Sequence, residues 1–343
     1  MNKIDLAYKK AELISNNNIF IPKEIKLVHP LSKSNAGPTS GSLSIGFSFY
    51  NRNIKMNVSK SKKQTFCLVK KNDIFNIEKE GEIYLKNISI LPILFHAPNQ
   101  AFINIENRCI YNCGFCYMPH HRFLEQYNDI RYIKTVINAC KRYNLHAVVL
   151  TSGVYPNIPN IINRICLIIK MIKQEISNIP FGVEACIDNK SELLLLKKTG
   201  VDELKLNLQI ADEHLFNKIC PGFNYDKIFN LLEESVKIFG WGKVTSNIIY
   251  GLGESFESII NTIENLAKIG VVPTLRVVRI NNFNKKKIEK ILLTNLSNVD
   301  PIEILEVAKQ HKRILEKNNL TTKTFNTMCH KCGCCDLVPF WDI

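Results

Sequence analysis

The chain has 343 residues, of which 45% are hydrophobic and 22% are charged, a composition typical of globular proteins. Charged residues interrupt the most apolar stretch, 161–176, so we expect no transmembrane helix. Basic residues outnumber acidic ones by 45 to 31, which gives a net charge of +14. The lysines are scattered, however, and the densest run, 285–287, is predicted to be a solvated helix face rather than a phosphate-binding patch. We therefore do not expect a nucleic-acid partner.

The cysteine content indicates the cellular compartment. The first ten residues include Lys3, Asp5, Lys9 and Lys10 and predict no signal peptide. Without a secretory signal, the 12 cysteines indicate metal ligands and buried thiols in a reducing compartment rather than disulfides. We therefore expect a cytoplasmic protein.

Residues 1–96 are predicted to form a small α+β extension. Apolar and polar residues alternate over 41–59 on either side of a turn at 51–53, a pattern typical of a β-hairpin. Residues 34–41 are a predicted loop, and a further strand pair is predicted over 65–70 and 82–88. The sequence does not indicate a role for this extension.

Residues 97–283 alternate between strand and helix patterns. The predicted strands are 102–106, 147–151, 181–185, 203–208, 244–250 and 274–280, and the predicted helices are 129–143, 159–177, 190–199, 224–239 and 255–269. Six such units predict an α/β fold with a parallel sheet and right-handed crossovers. Their spacing favours a partial or complete (β/α) barrel. Residues 284–343 are predicted to add a helix over 300–318 and a cysteine-rich tail.

Three cysteines follow the first of these strands with the spacing C-x3-C-x2-C: Cys109, Cys113 and Cys116. Thiolates this close together can bind one inorganic cluster, and [4Fe–4S] clusters are held by cysteine thiolates. Because such a cluster has four irons, three local ligands leave one iron open to bind a small molecule. The alternative is zinc with His120 or His121 as a fourth ligand, although structural zinc sites usually contain paired C-x2-C steps.

This spacing, with Phe115 just before the third cysteine, resembles the signature of the radical S-adenosylmethionine superfamily. The resemblance covers residues 100–280. It implies a radical-SAM barrel in which the open iron chelates S-adenosylmethionine, with Phe115 and Tyr117 beside the cofactor. It also implies that one electron, from a low-potential donor such as ferredoxin or flavodoxin, cleaves the cofactor to methionine and a 5′-deoxyadenosyl radical.

Polar residues follow the next two strands, at the ends where (β/α) barrels carry their active sites. By the resemblance, Thr151, Ser152 and Gly153 bind the methionine amino group of the cofactor, although alone they fit an ordinary turn. Glu184 ends the third strand. It fits either a contact with ribose hydroxyls or an ammonium group, or a structural salt bridge, because charged residues are rarely buried unpaired.

Asn207 and Gln209 are two residues apart on the fourth predicted strand, so we expect both to line the barrel interior. Biotin synthases carry a similar Asn-x-Asp pair, which implies a contact with ribose, and Gln209 replaces the acid here. Arg276 and Arg279 are three apart on the sixth strand and are expected to face opposite sides. One of them is expected to point inward to a carboxylate and the other to lie on the surface.

The fifth strand ends in a stretch from Asn247 to Glu254 that resembles the Gly-x-Ile-x-Gly-x-x-Glu pattern of the superfamily, with Asn247 in place of the first glycine. By this resemblance Gly251 lets the backbone pass close to adenine. Glu254 is expected to cap the helix that follows.

The tail contains four cysteines within seven residues: Cys329, Cys332, Cys334 and Cys335. We interpret them as ligands of a second, auxiliary Fe–S cluster, with zinc as the alternative. Because Cys334 and Cys335 are adjacent, it stays open whether both bind. Buried thiols are predicted for the isolated cysteines Cys67, Cys140, Cys166, Cys186 and Cys220.

Within the superfamily, the pattern resembles biotin synthase and its archaeal relatives, including two-protein lipoyl synthases, in which a second cluster can be consumed as a sulfur source. The resemblance implies an enzyme that inserts sulfur at an unactivated C–H bond of a small molecule or of a carrier-protein-bound substrate. One alternative is a radical maturase or methylase of a cofactor or peptide. Another, from a different class, is a binding module stabilised by zinc or an Fe–S cluster.

Overall fold

The computed structural model describes residues 2–33, 42–117, 129–281 and 284–343. The predicted loop at 34–41 and the candidate zinc ligands His120 and His121 lie outside these ranges. No helix within them is long and apolar enough to cross a membrane.

The described chain begins with helix α1 (Lys3–Asn16), which starts with a capping box formed by Asn2 and Asp5. The strands that follow are β1 (Asn18–Phe20), β2 (Ser32–Lys33), β3 (Leu43–Phe49), β4 (Arg52–Ser59), β5 (Phe66–Lys71), β6 (Ile74–Lys79) and β7 (Glu82–Ile90). Their order is β2-β3-β4-β1-β5-β6-β7, and β7 pairs again with β3, so that six strands close into a ring. Because a ring has few free edges, most backbone polar groups of this part are paired.

The hairpin predicted over 41–59 is confirmed by the antiparallel pairing of β3 with β4. The predicted pairing of 65–70 with 82–88 is wrong, because β5 and β7 each pair with β6, which the sequence analysis did not place. Asn72 and Asp73 connect β5 to β6 and both have positive φ, at 50° and 63°. Two such residues form a type I′ hairpin turn, but the pair Asn-Asp lacks the glycine that makes this turn easy to recognise.

The barrel strands are β8 (Gln100–Asn104), β9 (Ala147–Thr151), β10 (Phe181–Glu184), β11 (Glu203–Lys205), β12 (Gln209–Ile210), β13 (Val244–Tyr250) and β14 (Val271–Val277). The helices around them are α2 (Asp129–Tyr143), α3 (Ile158–Glu175), α4 (Lys190–Thr199), α5 (Glu213–Ile219), α6 (Tyr225–Phe239), α7 (Phe256–Lys268) and α8 (Lys285–Leu292). All ladders of this sheet are parallel. The predicted α/β barrel with an α+β extension is therefore confirmed, although α5 was not predicted.

The order β8-β9-β10-β11-β13-β14 makes β8 and β14 the edge strands in the described chain, with β12 beside the end of β13, so the barrel is partial. β14 begins three residues before the predicted strand 274–280 and includes Pro273. Proline is tolerated on an edge strand because its missing N–H faces away from the sheet. β11 ends at Lys205, three residues earlier than predicted.

The chain ends with α9 (Pro301–Lys317) and the short helix α10 (Met328–Cys332), which begins the cysteine-rich tail. The tail contacts both edge strands. The Gln100 side chain of β8 donates to Met328 O (3.1 Å) and accepts from Met328 N (2.8 Å). The His330 ring bonds Val272 O of β14 at 3.1 Å. The tail therefore covers the side on which the barrel is open.

The extension and the barrel share one continuous cluster of buried apolar side chains. Helix α1 packs against α9 and β4. The N-terminal extension and the barrel therefore share a hydrophobic core and are not joined by a linker alone.

Candidate active site

A cavity of about 280 Å³ lies inside the barrel at the carboxyl ends of its strands. Most of the residues that the sequence analysis predicted for the site line this cavity. They are Cys109, Cys113, Phe115, Cys116, Thr151, Ser152, Gly153, Glu184, Asn207, Gln209, Asn247, Arg276, Cys329 and Cys335. The cysteine loop and the cysteine-rich tail, separated by more than two hundred residues in sequence, therefore open onto the same space.

The loop that carries Cys109, Cys113 and Cys116 is held by α5 and α8. Gly114 N donates to Ile219 O at 2.7 Å. Lys287 Nζ donates to Asn112 Oδ1 at 2.7 Å and to Cys113 O at 3.3 Å. The predicted solvated face at 285–287 is therefore wrong for Lys287, whereas Lys285 and Lys286 are exposed.

The beginning of the cysteine loop is fixed by an arginine–carboxylate pair. Arg108 Nε and Nη2 donate to the two oxygens of Glu106 at 2.9 and 2.8 Å, a bidentate geometry that gives strong and directional hydrogen bonds. Burial works against the charge of Glu106, but the hydrogen bonds and the charge of Arg108 keep the pKa of Glu106 below its usual value. The Arg108 guanidinium also stacks 4.0 Å from the centre of the Tyr155 ring.

The turn after β9 is bonded to the backbone of the cysteine loop. Gly153 N donates to Glu106 O at 2.8 Å, and Ile110 N donates to Val154 O at 2.9 Å. The Val154 backbone also bonds the Cys109 thiol, which partly offsets the effect of burial in raising the pKa of that thiol. The cysteine loop is therefore a continuation of the pairing between β8 and β9.

The close approach of these two segments requires a glycine at position 153. A Cβ atom there would lie 2.2 Å from Arg108 O, a backbone atom that cannot rotate away. We expect Gly153→Ala to lower the free energy of unfolding by about 1–3 kcal/mol and to displace the cysteine loop. The measurement is iron content after anaerobic reconstitution, together with chemical denaturation.

Gly81→Ala is the matched control for this substitution. Gly81 has a φ of +91°, so alanine is strained there, but a Cβ atom would meet nothing within 4 Å. The control should lose stability without losing iron. Equal iron content in Gly153→Ala and in the wild type would contradict the proposed role of this turn.

A buried polar network crosses the middle of the cavity. Glu184 Oε1 accepts from Asn207 Nδ2 at 2.8 Å and lies 3.3 Å from Lys205 Nζ. Asn207 Oδ1 accepts from Asn247 N at 3.0 Å, and Thr274 donates to Asn247 Oδ1 at 2.6 Å. Glu184 is thus salt-bridged and also lines the cavity, so both alternatives for this residue have a basis in the geometry.

Lys205 is the residue of this network that the sequence analysis missed. It is 1% exposed, and its Nζ atom also donates to Cys329 Sγ at 3.1 Å. Burial works against its charge, but the Cys329 thiolate and Glu184 outweigh burial and raise the pKa of Lys205. A lysine between Leu204 and Leu206 on the fourth predicted strand, two positions before Asn207 and therefore on the same face, is the signal that points to it.

The tail side of the cavity carries positive charge. Arg276 pairs with Asp336 at 3.3 Å. Burial works against the guanidinium, but Asp336 and then the charges of Cys329, Cys335 and Cys332 raise the pKa of Arg276 well above its usual value. Arg279 also lines the cavity. The expectation that Arg276 and Arg279 face opposite sides is therefore wrong, because β14 ends at Val277 and strand alternation does not extend to position 279.

The positive charges on this side of the cavity also act on Cys335. Burial raises its pKa, but Arg279, Arg276 and Lys55 outweigh burial and lower the pKa of Cys335 to about 7. Lys55 comes from β4 of the N-terminal ring and is 2% exposed. Its ammonium group donates to His96 O at 2.8 Å.

Helix α1 and strand β4 of the N-terminal extension hold the tail in place through buried contacts. Lys10 Nζ donates to Gly333 O and to the Asp342 carboxylate, both at 2.7 Å. Lys55 N donates to Cys334 O at 2.8 Å. Asn53 Nδ2 donates to Cys332 O at 3.1 Å. The extension, for which the sequence indicated no role, thus forms the support on which the cysteine-rich tail is built.

Four of the predicted site residues do not line the cavity: Tyr117, Gly251, Cys332 and Cys334. Gly251 has a φ of +89°, and a Cβ atom there would lie 2.4 Å from the Val299 side chain, so packing explains this glycine. Glu254 accepts hydrogen bonds from Gly251 N and Leu252 N, whereas Ser255 caps α7. The prediction that Glu254 caps this helix is wrong because its carboxylate closes the preceding turn.

Two of the isolated cysteines lie close to the cysteine loop. Cys220 is fully buried, and its hydrogen bond to Cys113, together with burial, raises the pKa of Cys220 well above its usual value. Cys186 lines the cavity. Its pKa is raised by burial and then by the charges of Cys109 and Cys113, so its thiol stays protonated.

The three cysteines of the loop are a donor set that a cluster could use. Ligands of one zinc all lie about 2.0–2.3 Å from it, whereas thiolates of a [4Fe–4S] cluster bind different irons and lie farther apart. Cys109, Cys113 and Cys116 come from one loop and line one cavity, so this donor set fits a cluster.

Comparison with known proteins agrees with this chemistry. Residues 103–266 match the family model of the Radical SAM superfamily. This match indicates a radical SAM domain in that part of the chain. The matched part begins in β8 and ends in α7, and it includes the cysteine loop and the polar network apart from Thr274.

Two relatives illustrate the similarity in sequence. A lipoyl synthase of Alcanivorax borkumensis is 27% identical over 186 residues, which are 51% of this chain and 54% of the relative. A biotin synthase of Geotalea uraniireducens is 27% identical over 177 residues, which are 50% of this chain and 53% of the relative. The chain therefore spans about half the length of these relatives.

A solved structure supports the fold. The FeFe-hydrogenase maturase HydG of Carboxydothermus hydrogenoformans superposes with a TM-score of 0.50 and 15% identity, over 64% of this chain and 52% of that chain. At this level of identity the superposition supports a shared fold and nothing more specific.

Proposed function

We propose that the chain is a radical S-adenosylmethionine enzyme that inserts sulfur at an unactivated C–H bond. In this proposal Cys109, Cys113 and Cys116 hold a [4Fe–4S] cluster, and the cysteine-rich tail holds an auxiliary Fe–S cluster. The observation that carries the proposal is that Cys329 and Cys335 of the tail line the same cavity as the three loop cysteines. A sulfur source in the tail would therefore face the space in which a substrate radical forms.

The residues around the cavity have distinct tasks in this proposal. When bound, the cluster and S-adenosylmethionine supply a 5′-deoxyadenosyl radical. Thr151 and Ser152 offer backbone and hydroxyl groups to the cofactor's methionine end, beside the loop that carries the cluster ligands. Glu184, Asn207 and Asn247 form a network with fixed hydrogen bonds, which pre-orients their polar atoms toward ribose hydroxyls.

An apolar wall protects radical chemistry from water. Phe102, Phe115, Phe216 and Phe223 line the cavity. The rings of Tyr111 and Phe223 lie 4.0 Å apart, centre to centre. A carbon radical that forms against these side chains is shielded from solvent and from unwanted hydrogen donors.

The charges around the tail support an anionic centre there. Four cations, Lys55, Lys205, Arg276 and Arg279, act on the tail cysteines, while the nearby carboxylates are Glu184 and Asp336. Thiolate-ligated metal centres carry net negative charge, and buried charges require compensation. The lipoyl synthase and biotin synthase similarity favours sulfur insertion over the maturase or methylase alternative.

Two partners follow from this proposal. A low-potential donor such as a ferredoxin or flavodoxin supplies the electron. The substrate is a small molecule or a group attached to a carrier protein.

The test of sulfur insertion is a single turnover with isotopically labelled cluster sulfide. Protein reconstituted with labelled sulfide is mixed anaerobically with S-adenosylmethionine, dithionite and an octanoylated lipoyl carrier protein. We expect labelled sulfur in the carrier, with loss of iron and sulfide from the enzyme. Formation of 5′-deoxyadenosine with full retention of iron and sulfide, and no sulfur in the carrier, would contradict sulfur insertion into this substrate and favour the maturase or methylase alternative.

One variant distinguishes the role of the tail cluster from that of the loop cluster in the same experiment. Cys329→Ala removes a tail cysteine that lines the cavity but leaves the loop cysteines in place. We expect this variant to cleave S-adenosylmethionine without transferring sulfur. Sulfur transfer at the wild-type level would exclude the tail as the source.

A further inference from the structure

We infer that three of the four tail cysteines, Cys329, Cys332 and Cys335, hold the tail cluster, and that Cys334 is a positioning residue outside the ligand set. This inference rests on the proposed auxiliary cluster. It answers which of the two adjacent cysteines binds, a question that the sequence leaves open.

The spacing of the three proposed ligands is regular. Cys329, Cys332 and Cys335 follow each other as C-x2-C-x2-C, the spacing found in cluster-binding runs of ferredoxins. With Cys334 in place of Cys335, the second step would contain one residue instead of two. Gly333 has a φ of +64° and ends α10, so the chain reverses direction between Cys332 and the two cysteines that follow.

The positions of the side chains also separate Cys335 from Cys334. Cys329 and Cys335 line the cavity, whereas Cys334 does not and is 1% exposed. Cys334 is instead fixed against the N-terminal ring, because its carbonyl accepts from Lys55 N at 2.8 Å. Arg276 lines the same cavity as Cys329 and Cys335, so a cation lies beside these two proposed ligands.

The contact that Cys334 does make defines its role. Its thiol is hydrogen-bonded to the sulfur of Cys332. A hydrogen bond to a ligand sulfur raises the reduction potential of a cluster, because it stabilises the more negative, reduced state. Cys334 therefore orients Cys332 and tunes the tail cluster without binding iron.

The ligand set has a consequence for substrate class. A four-iron cluster with three cysteine ligands has one iron without a protein thiolate. Two of its three ligands line the cavity, next to the cations Lys205, Arg276 and Arg279. The tail cluster is therefore suited to take an anionic sulfur ligand from the cavity, either a sulfide ion or a thiolate.

The test isolates the tail cluster in the full chain. The parent protein carries alanine at 109, 113 and 116, and Cys334→Ala and Cys335→Ala are added separately before anaerobic reconstitution with iron-57 and sulfide. We expect about four irons in the parent and in the Cys334→Ala variant, and less than about one in the Cys335→Ala variant. Loss of iron from the Cys334→Ala variant, with retention in the Cys335→Ala variant, would overturn the assignment, and so would equal loss from both.

Failure of the proposed cluster would look different. A folded parent without iron, as judged by circular dichroism, would overturn the auxiliary cluster itself and the ligand set with it. In a parent that binds four irons, Mössbauer spectra should distinguish one iron from the other three. Four equivalent irons would contradict the open site.

Redox titration tests the positioning role directly. Cys334→Ala should lower the midpoint potential of the tail cluster, and Cys334→Ser, which keeps a hydrogen-bond donor, should restore part of the shift. An unchanged potential in Cys334→Ala would show that the thiol only fills space.

Discussion

Replacement of any one of Cys109, Cys113 and Cys116 by alanine should reduce the formation of 5′-deoxyadenosine from S-adenosylmethionine to background. All three thiols line one cavity, and the described part of the loop, up to residue 117, contains no other cysteine. A cluster with only two cysteines from this loop would lose iron or the orientation of its open site. The measurement is chromatographic detection of 5′-deoxyadenosine after anaerobic reduction with dithionite, at equal protein concentration.

The control is Cys140→Ala in helix α2. Cys140 is 5% exposed, and burial alone raises the pKa of Cys140 to about 11, so it is a packing residue. This variant should keep full cleavage activity. Cleavage at the wild-type level in Cys113→Ala would show that the loop cysteines do not hold the catalytic cluster.

Lys10→Met should destabilise the protein strongly and remove iron from the tail. Lys10 and Asp342 form an ion pair at 2.7 Å with side chains only 1% and 2% exposed. Removal of one partner from such a buried pair costs about 3–5 kcal/mol, and the loss should lie toward the lower end here, because Arg52 Nε stays 3.9 Å from Asp342 Oδ1. Because Lys10 also bonds Gly333 O between Cys332 and Cys334, the loss should extend to the tail cluster. The measurements are chemical denaturation and iron content.

Lys141→Met is the matched control for this variant. Lys141 and Glu175 form a pair at 3.2 Å on the surface, with side chains 54% and 58% exposed. Surface pairs contribute about 1 kcal/mol or less, so this variant should keep its stability and its iron. A Lys10→Met variant as stable as the Lys141→Met variant, and with equal iron, would contradict the role of the N-terminal extension as a support for the tail.

The sequence predicts the bounds of a strand correctly where its residue pattern agrees with the burial of that strand in the folded protein. β9 and β13 have the bounds that the sequence indicates, and nearly all of their side chains are buried, on both faces of the sheet. β14 differs by three residues because its edge position allows Pro273, which reads as a strand breaker. β6 was missed because the turn before it uses Asn72 and Asp73 rather than a glycine.

The sequence predicts those site residues whose role is visible in a short segment of the chain. Examples are the cysteine loop, the turn at 151–153 and the polar residues at the strand ends. Lys205, Lys287 and Lys10 do not, because the role of each depends on a partner that only the folded chain brings near: Cys329, Asn112 and Asp342, respectively. The same reason explains why the sequence indicated no role for residues 1–96.

The measurement that tests the central claim most directly is iron and sulfide content with EPR of the reduced, reconstituted protein. The wild type is compared with the variant that has alanine at 109, 113 and 116, each with and without S-adenosylmethionine. We expect about eight irons in the wild type and about four in the variant, with an EPR signal that changes on addition of S-adenosylmethionine only in the wild type. A wild-type signal that does not respond to S-adenosylmethionine, or equal iron in both proteins, would contradict an open cluster on the three loop cysteines.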